Sequence, residues 1–128
     1  MILVVLAGTV WWLRRRYLTV TVQGASMLPT YPPGQRLLVR RWTASGALQA
    51  GQVVVLDDRP VGIVKRVAAA PGDPVPRDTV PALRDEPGPR VPAGRLVLLG
   101  DNPEQSRDSR QAGYFRVDRL LGVVVRPI

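Results

Sequence analysis

Residues 52–67 read Gln-Val-Val-Val-Leu-Asp-Asp-Arg-Pro-Val-Gly-Ile-Val-Lys-Arg-Val. Two strand-length runs rich in β-branched residues, 52–56 and 61–67, lie on either side of an Asp-Asp-Arg-Pro connection. Valine and isoleucine favour the pleated backbone of a strand, whereas aspartate and proline favour turns. The stretch therefore predicts two β-strands joined by a short connection.

The same pattern continues along the chain, where short apolar runs are bounded by Gly, Pro or Asp. Further strands are predicted at 18–22, 36–39, 95–99 and 120–125. Because no segment after Tyr17 shows a sustained helical period, the fold is predicted to be all-β, a small barrel or sandwich formed by residues 17–128. Residues 71–92 contain seven prolines, and proline removes backbone donors, so 71–94 is predicted to be an irregular excursion.

The N-terminus differs from the rest of the chain. Residues 1–13 are apolar and end near Trp11 and Trp12, and Arg14 to Arg16 follow. Tryptophan beside basic residues is typical of a membrane–water interface, although a helix needs about 20 apolar residues to span a bilayer. Residues 1–16 are therefore interpreted as an apolar anchor with a basic flank. Three interpretations remain open: a short anchor, an anchor shortened by a misassigned start, and a buried core segment. A cleavable signal peptide fits poorly.

The composition restricts the possible chemistry. The chain has 18 basic residues, of which only Lys65 is a lysine, and it has neither histidine nor cysteine. A Ser-His-Asp triad, a cysteine nucleophile and a metal site built on His or Cys are therefore excluded. Arginine stays protonated, whereas a buried lysine can lose its proton. If the protein is an enzyme, its general base is Lys65 or a carboxylate.

The strand predicted at 61–67 supports this role for Lys65. Side chains alternate between the two faces of a strand, so Lys65 shares a face with Val61, Ile63 and Val67, and Arg66 points the other way. An ammonium group on an apolar face is desolvated, which lowers its pKa. Alternatively, Lys65 is a charge on an edge strand that discourages aggregation.

Three segments carry a recognisable pattern: 24–30 (Gly-Ala-Ser-Met-Leu-Pro-Thr), 64–67 (Val-Lys-Arg-Val), and Gly-Asp-Asn at 100–102 with Ser-Arg-Asp-Ser-Arg at 106–110. In this order and spacing they resemble the type I signal peptidases, a family of membrane-bound serine–lysine endopeptidases. The resemblance covers about residues 20–125. It implies cleavage of signal or leader peptides from exported precursor proteins, at the cell membrane and on its outer face, without a cofactor or metal.

The resemblance also implies a role for individual residues. Ser26 matches the nucleophile, Lys65 the general base, and Ser106 the serine that positions the lysine amine. Asp108 and Arg110 match an ion pair that shapes the site, and Asp101 and Asn102 match a supporting turn. Val20, Val22 and Met27 are further candidates for substrate contact. Each polar residue also has an ordinary alternative: Ser26 as a turn residue, Ser106 and Ser109 as loop residues, and Asp108 with Arg110 as a surface ion pair.

Two features depart from the pattern. Gly24 lies where many members have a hydroxyl that helps to bind the oxyanion, so that the backbone N–H of Ser26 is left as the main donor. Arg14 to Arg16 follow the apolar run, which by charge alone would place the domain in the cytoplasm, against the family expectation.

Three other functions fit the sequence to different degrees. A soluble self-cleaving repressor is disfavoured, because such proteins usually carry a DNA-reading domain for which this sequence has no room. A protease dedicated to one precursor is compatible with the sequence. The charge of +8 permits attraction to nucleic acid or to membrane lipid. The few aromatic residues argue against binding of single-stranded nucleic acid, which uses stacking platforms.

Overall fold

The computed structural model describes residues 1–44, 46–58 and 61–128. These residues form a single antiparallel sheet preceded by one helix, with a second, one-turn helix near the C-terminus. The bounds are α1 Ile2–Arg16, β1 Tyr17–Thr21, β2 Arg36–Arg41, β3 Val53–Asp58, β4 Val61–Ala69, β5 Arg95–Leu99, α2 Ser109–Ala112, β6 Phe115–Arg116 and β7 Leu120–Pro127. The domain is mostly β, as predicted, although it also contains α2, and each of the six predicted strands overlaps an observed one.

The two strands of the opening stretch lie in the middle of the sheet. The strand order is β1-β2-β7-β3-β4-β5-β6, so the last strand of the chain lies between β2 and β3. Strands β3 and β4 are paired in a register that places Val54 opposite Lys65 and Val55 opposite Val64. Both strands therefore have a neighbour on each side and are shielded from solvent at their edges.

The prediction of a barrel or sandwich is wrong, because the described strands form one sheet that does not close. Within the described residues the strands form one open sheet, with β1 at one edge and β6 at the other. Closing a barrel requires continuous pairing between the first and last strands. Strand β6 has only two residues and pairs with β5 alone among the described strands. Instead of closing, the sheet changes register at three places, between Leu38 and Val39, Val55 and Leu56, and Val67 and Ala69, and such irregularities bend a sheet.

The sheet is buried on both faces at its centre. Val54 and Leu56 of β3 pack in a cluster with Val67 and Leu98. Val53 and Val55 point to the other face and pack in a cluster with Met27. Alternation along β3 therefore supplies both clusters, which explains why the run from 53 to 56 is apolar at every position instead of at every second one.

A third apolar cluster covers the sheet where β4 and β5 pair. The proline-rich segment between these strands forms a single turn of 3₁₀ helix, Pro81–Leu83, and a short bridge between Pro74 and Arg90. Its apolar side chains are buried against Ala69 and Val97 of the sheet; they are Val75, Val80, Leu83 and Val91. The segment is thus irregular in its backbone, yet it contributes a substantial part of the core.

The N-terminal segment is helical, and every residue of α1 is exposed. The possibility that it is a buried core segment is therefore wrong. Within the part of the chain that is described, no helix combines the length and the apolar character needed to cross a membrane. At its C-terminal end the helix meets the sheet, because the Arg41 Nε of β2 donates a hydrogen bond to the carbonyl of Arg14 at 3.4 Å.

Candidate active site

Lys65 lies in the interior of the sheet, on β4 between β3 and β5. Its side chain is only 4% exposed, on the face of β4 that also carries Ile63 and Val67. The alternative of an edge-strand charge is therefore wrong. Burial lowers the pKa of Lys65; the negative charge of Asp108 opposes this shift, and the positive charge of Arg110 adds to it. Removal from water is the dominant influence, as the strand pattern predicted.

The Lys65 amine is held by a hydroxyl group. Lys65 Nζ donates a hydrogen bond to Ser106 Oγ at 2.9 Å, and Ser106 Oγ donates to Asp108 Oδ2 at 2.6 Å. A hydroxyl has only one proton to donate. Because Ser106 uses that proton on the carboxylate, its oxygen is left as the acceptor for Lys65. This directs an N–H of the amine toward Ser106 and leaves the nitrogen lone pair of a neutral amine free to face elsewhere.

Asp108 anchors this arrangement from a fully buried position. Burial alone would raise its pKa, but hydrogen bonds from the Arg110 side chain, from Ser106 and from the backbone N–H groups of Gly100 and Arg110 hold the pKa of this carboxyl far below its usual range. The guanidinium of Arg110 contacts both carboxylate oxygens, at 3.0 and 2.7 Å. Asp108 is thus a buried and neutralised anion, and a surface ion pair does not describe it.

The loop that carries these residues is tied to β5 by the side chain of Ser109. Asp108 is the N-cap of α2 and forms a capping box with Gln111. Ser109 is fully buried, and its Oγ accepts a hydrogen bond from the N–H of Leu98 at 2.8 Å. Sequence reasoning treated Ser109 as a possible loop residue and missed this role. The Asp-x-x-Gln spacing of Asp108 and Gln111 is typical of a helix N-terminus, and it is the signal that could have revealed the cap.

Gly100 allows this loop and the Ser26 turn to approach each other. A Cβ placed at Gly100 would collide with Ser106 Oγ and with the carbonyl oxygen of Ser26. Glycine is therefore required for its lack of a side chain rather than for its backbone freedom. This packing role was not predicted from the Gly-Asp-Asn motif.

Ser26 lies in a turn after β1 and is half-buried. Asn102 fixes this turn through two hydrogen bonds: its backbone N–H donates to the carbonyl of Ser26 at 2.8 Å, and its Nδ2 donates to the carbonyl of Ala25 at 3.0 Å. Ser26 and Lys65 line a common cleft of about 280 Å³. Its other lining residues are Val22, Gln23, Val61, Gly62, Ile63, Val64 and Arg107.

Asp101 ties the same turn to β4. It accepts hydrogen bonds from Arg66 Nε at 2.9 Å and Arg66 Nη2 at 2.8 Å, and from Thr30 Oγ1 at 2.5 Å. The Arg66 contact is the main reason that the pKa of Asp101 is lowered, although burial opposes the shift. Arg66 also donates to the carbonyl of Gly51 at 2.8 Å. Its orientation away from Lys65 followed from the strand pattern, but its function as a link to the Ser26 turn was missed.

The candidate substrate contacts differ in their exposure. Val22 lines the cleft beside Ser26. Val20 is half-buried and packs in the cluster formed around Val55. Met27 is fully buried in that cluster, so it has no exposed surface with which to touch a substrate and instead holds the turn against the sheet.

Gly24 has a φ of +71° and open space at the position of a Cβ. This left-handed conformation favours glycine, so a hydroxyl-bearing side chain there would be strained. Within the described residues, no cluster of three or more acidic side chains could hold a metal ion.

Comparisons with known proteins identify the family of this chain. A family model described as "Signal peptidase, peptidase S26" matches residues 1–81 and 77–128. Signal peptidase IB of Staphylococcus aureus is 31% identical over 140 aligned residues, which cover 81% of this chain and 73% of that protein. Signal peptidase I T of Bacillus subtilis is 30% identical over 131 residues, with 79% and 68% covered. The chain therefore belongs to the signal peptidase family, peptidase S26.

Proposed function

We propose that this protein is a serine endopeptidase that removes signal or leader peptides from exported precursor proteins, with Ser26 as nucleophile and Lys65 as general base. One observation carries the proposal: a lysine whose pKa is lowered by burial lines the same cleft as a half-exposed serine. The names of the relatives in Staphylococcus aureus and Bacillus subtilis support the choice of substrate.

The reaction begins with proton transfer. The neutral amine of Lys65 takes the proton of Ser26 Oγ while that oxygen attacks the carbonyl carbon of the scissile peptide bond. The resulting oxyanion is stabilised by the backbone N–H of Ser26, because Gly24 offers no hydroxyl. Lys65 then gives its proton to the leaving amine nitrogen, the C–N bond breaks, and an ester between Ser26 and the substrate remains.

Hydrolysis of this ester uses the same base. Lys65 removes a proton from a water molecule, the hydroxide attacks the ester carbonyl, and Lys65 returns the proton to Ser26 Oγ as the ester bond breaks. The products are a peptide carboxylic acid, which loses its proton to solvent, and the free serine. Ser106 supports both halves of the reaction, since it accepts a hydrogen bond from Lys65 and thereby leaves the lone pair of the neutral amine available for Ser26.

The rest of the active-site loop has a supporting function in this proposal. Asp108 and Arg110 hold Ser106, whereas Asp101 and Asn102 hold the turn that carries Ser26. Residues 17–128 then form the peptidase domain. Residues 1–16 associate with the cell membrane, and the catalytic cleft faces the extracytoplasmic side, where exported precursors emerge.

The test is cleavage of a purified secretory precursor by the detergent-solubilised protein. Ser26→Ala should produce no cleavage, because it lacks the attacking oxygen. Thr19→Ala is a matched control, since it removes a hydroxyl from an exposed position on β1 outside the cleft, and it should cleave at the wild-type rate. Cleavage by Ser26→Ala at the control rate would refute the assignment of the nucleophile.

A further inference from the structure

A cavity at the junction of α1 and the sheet is distinct from the catalytic cleft. It has a volume of about 490 Å³, and four of its ten described lining residues are arginines: Arg15 and Arg16 at the end of α1, and Arg40 and Arg41 at the end of β2. Strand pairing brings the two pairs together, because Tyr17, which directly follows α1, lies opposite Arg40. Among the lining residues that the structure describes, no acidic side chain neutralises them.

The charge distribution along the chain adds to this imbalance. Residues 1–56 contain six arginines and no acidic residue, whereas all ten acidic residues occur from Asp57 onward. The net charge of +8 therefore comes mainly from the N-terminal part that builds this cavity. A guanidinium group pairs with phosphate oxygens through parallel hydrogen bonds, so a cluster of four favours a phosphate ligand.

The wall of the cavity also contains a hydrogen-bond donor without an acceptor. Trp42 lines the cavity, and its Nε1 is buried without a hydrogen-bond partner among the described residues. Gly46, another lining residue, lies beside that nitrogen, since a Cβ on Gly46 would be 3.3 Å from it. A buried N–H that lacks an acceptor is costly. Because this nitrogen is almost unexposed, the indole ring must turn before a phosphate oxygen in the cavity can accept its hydrogen bond.

The helix that leads into the cavity indicates where this phosphate comes from. Its large apolar side chains are all exposed, among them Leu6 at 56% and Trp11 at 59%. Near its C-terminal end, Arg15 lies over the ring of Trp11 and Arg16 over the ring of Trp12. An exposed apolar helix with tryptophan and arginine at one end fits the boundary between acyl chains and headgroups.

We propose that this cavity, formed by Arg15, Arg16, Arg40, Arg41 and Trp42, binds the phosphate of an anionic phospholipid headgroup while α1 lies against the acyl chains. The inference builds on the proposed membrane association and does not depend on the peptidase chemistry. It gives the protein a preference for anionic membranes and fixes the junction between α1 and the sheet at the bilayer surface.

The test is co-flotation of the protein, residues 1–128, with vesicles of pure phosphatidylcholine or of phosphatidylcholine containing about 30% phosphatidylglycerol at physiological ionic strength. The variant Arg40→Gln/Arg41→Gln should bind the anionic vesicles roughly 30-fold more weakly, from about fivefold for each arginine near the surface. The control Arg36→Gln/Arg84→Gln removes the same charge at exposed positions outside the cavity. Arg36 lies about 17 Å along β2 from Arg41, beyond the range of electrostatic screening, so the control should lose less than about threefold.

Trp42→Phe distinguishes a specific phosphate site from general attraction to a basic surface. It keeps the charge and the aromatic ring but removes the N–H, so binding to anionic vesicles should weaken about fivefold, with binding to pure phosphatidylcholine unchanged. Arg41 contacts Arg14 of α1, so its replacement could weaken binding by displacing the helix. Trp42→Phe keeps Arg41 and therefore controls for this effect. Equal losses in the two arginine pairs, or wild-type binding by Trp42→Phe, would overturn the inference.

A second measurement distinguishes a lipid headgroup from a free anion. The melting temperature of the protein in detergent is compared in inorganic phosphate and in chloride at equal ionic strength. Stabilisation by phosphate without any preference for anionic vesicles would mean a free-anion site and would overturn the lipid assignment. Because neither measurement requires turnover, a negative result leaves the proposed peptidase function untouched, and an inactive enzyme leaves this site untouched.

Discussion

Replacement of Ser106 by alanine tests the proposed function of the active-site loop. The change removes one hydroxyl that accepts from Lys65 Nζ at 2.9 Å and donates to Asp108 Oδ2 at 2.6 Å. Neither reacting atom is lost, but the amine is no longer fixed relative to Ser26. Loss of one positioning hydrogen bond, about 1–3 kcal/mol, predicts a fall in kcat of roughly 5- to 150-fold. KM should change little, because Ser106 is not among the residues that line the cleft.

Ser109→Ala provides the matched control for this prediction. Ser109 is also a buried serine of the same loop, but its hydroxyl accepts from the N–H of Leu98 and makes no contact with Lys65. Ser109→Ala should therefore lower the free energy of unfolding by about 1 kcal/mol and retain the wild-type kcat at a temperature where it is folded.

The assay combines steady-state cleavage of a precursor peptide with urea unfolding of both variants. If Ser106→Ala and Ser109→Ala lose stability and activity in the same proportion, Ser106 has only a structural function. A wild-type kcat for Ser106→Ala would refute the reasoning directly.

Four further predictions concern the base, its pKa, the Ser26 turn and the absence of a metal. Lys65→Arg should show no cleavage in the same assay, because a guanidinium cannot accept the proton of Ser26; substantial activity would exclude Lys65 as the base. The rate should rise with pH through the lowered pKa of Lys65. Since the unfolded chain binds more protons at this group, stability should also rise with pH between the folded and unfolded pKa values, and Lys65→Met should remove that slope from urea titrations. Arg66→Lys keeps the charge but loses the two-point contact with Asp101. Because this ion pair is partly exposed, thermal unfolding should show that the free energy of unfolding falls by about 1 kcal/mol or less. The cleavage assay should also show a lower kcat. Chelators and thiol reagents should leave the cleavage rate unchanged, and recovery by a divalent ion after chelation would contradict the mechanism.

The parts of the fold that follow from local pattern could be predicted from the sequence. The apolar runs at 52–56 and 61–67 became the central hairpin, because β-branched residues and flanking turn residues act over short distances. The position of β7 between β2 and β3 depends instead on pairing across most of the chain, which no local pattern encodes. Strand β6 and helix α2 are too short to show a period, at two and four residues.

The candidate site shows the same division. Burial of Lys65 and the opposite orientation of Arg66 follow from alternation along one strand. The partner of each could not be derived in this way, because both partners belong to the loop at 100–110, which reaches β4 only in the folded protein. The burial of Ser109 and the close approach at Gly100 also depend on the packing of that loop, and a sequence pattern does not report packing.

The distribution of charge around Lys65 explains how one small sheet lowers the pKa of a lysine, as the proposed role of Lys65 as a base requires. A carboxylate in direct contact with the amine would favour the ammonium form and raise its pKa. Here Asp108 is separated from Lys65 by the hydroxyl of Ser106, and the guanidinium of Arg110 contacts both oxygens of that carboxylate. The amine therefore receives a hydrogen-bond partner without a full countercharge, and burial determines the direction of its pKa shift. Arg66, one residue further along β4, meets Asp101 directly and has its pKa raised. Lys65 and Arg66 are adjacent on one strand, yet the pKa of Lys65 is lowered and the pKa of Arg66 is raised. The loop at 100–110 supplies the hydrogen-bond partner of each.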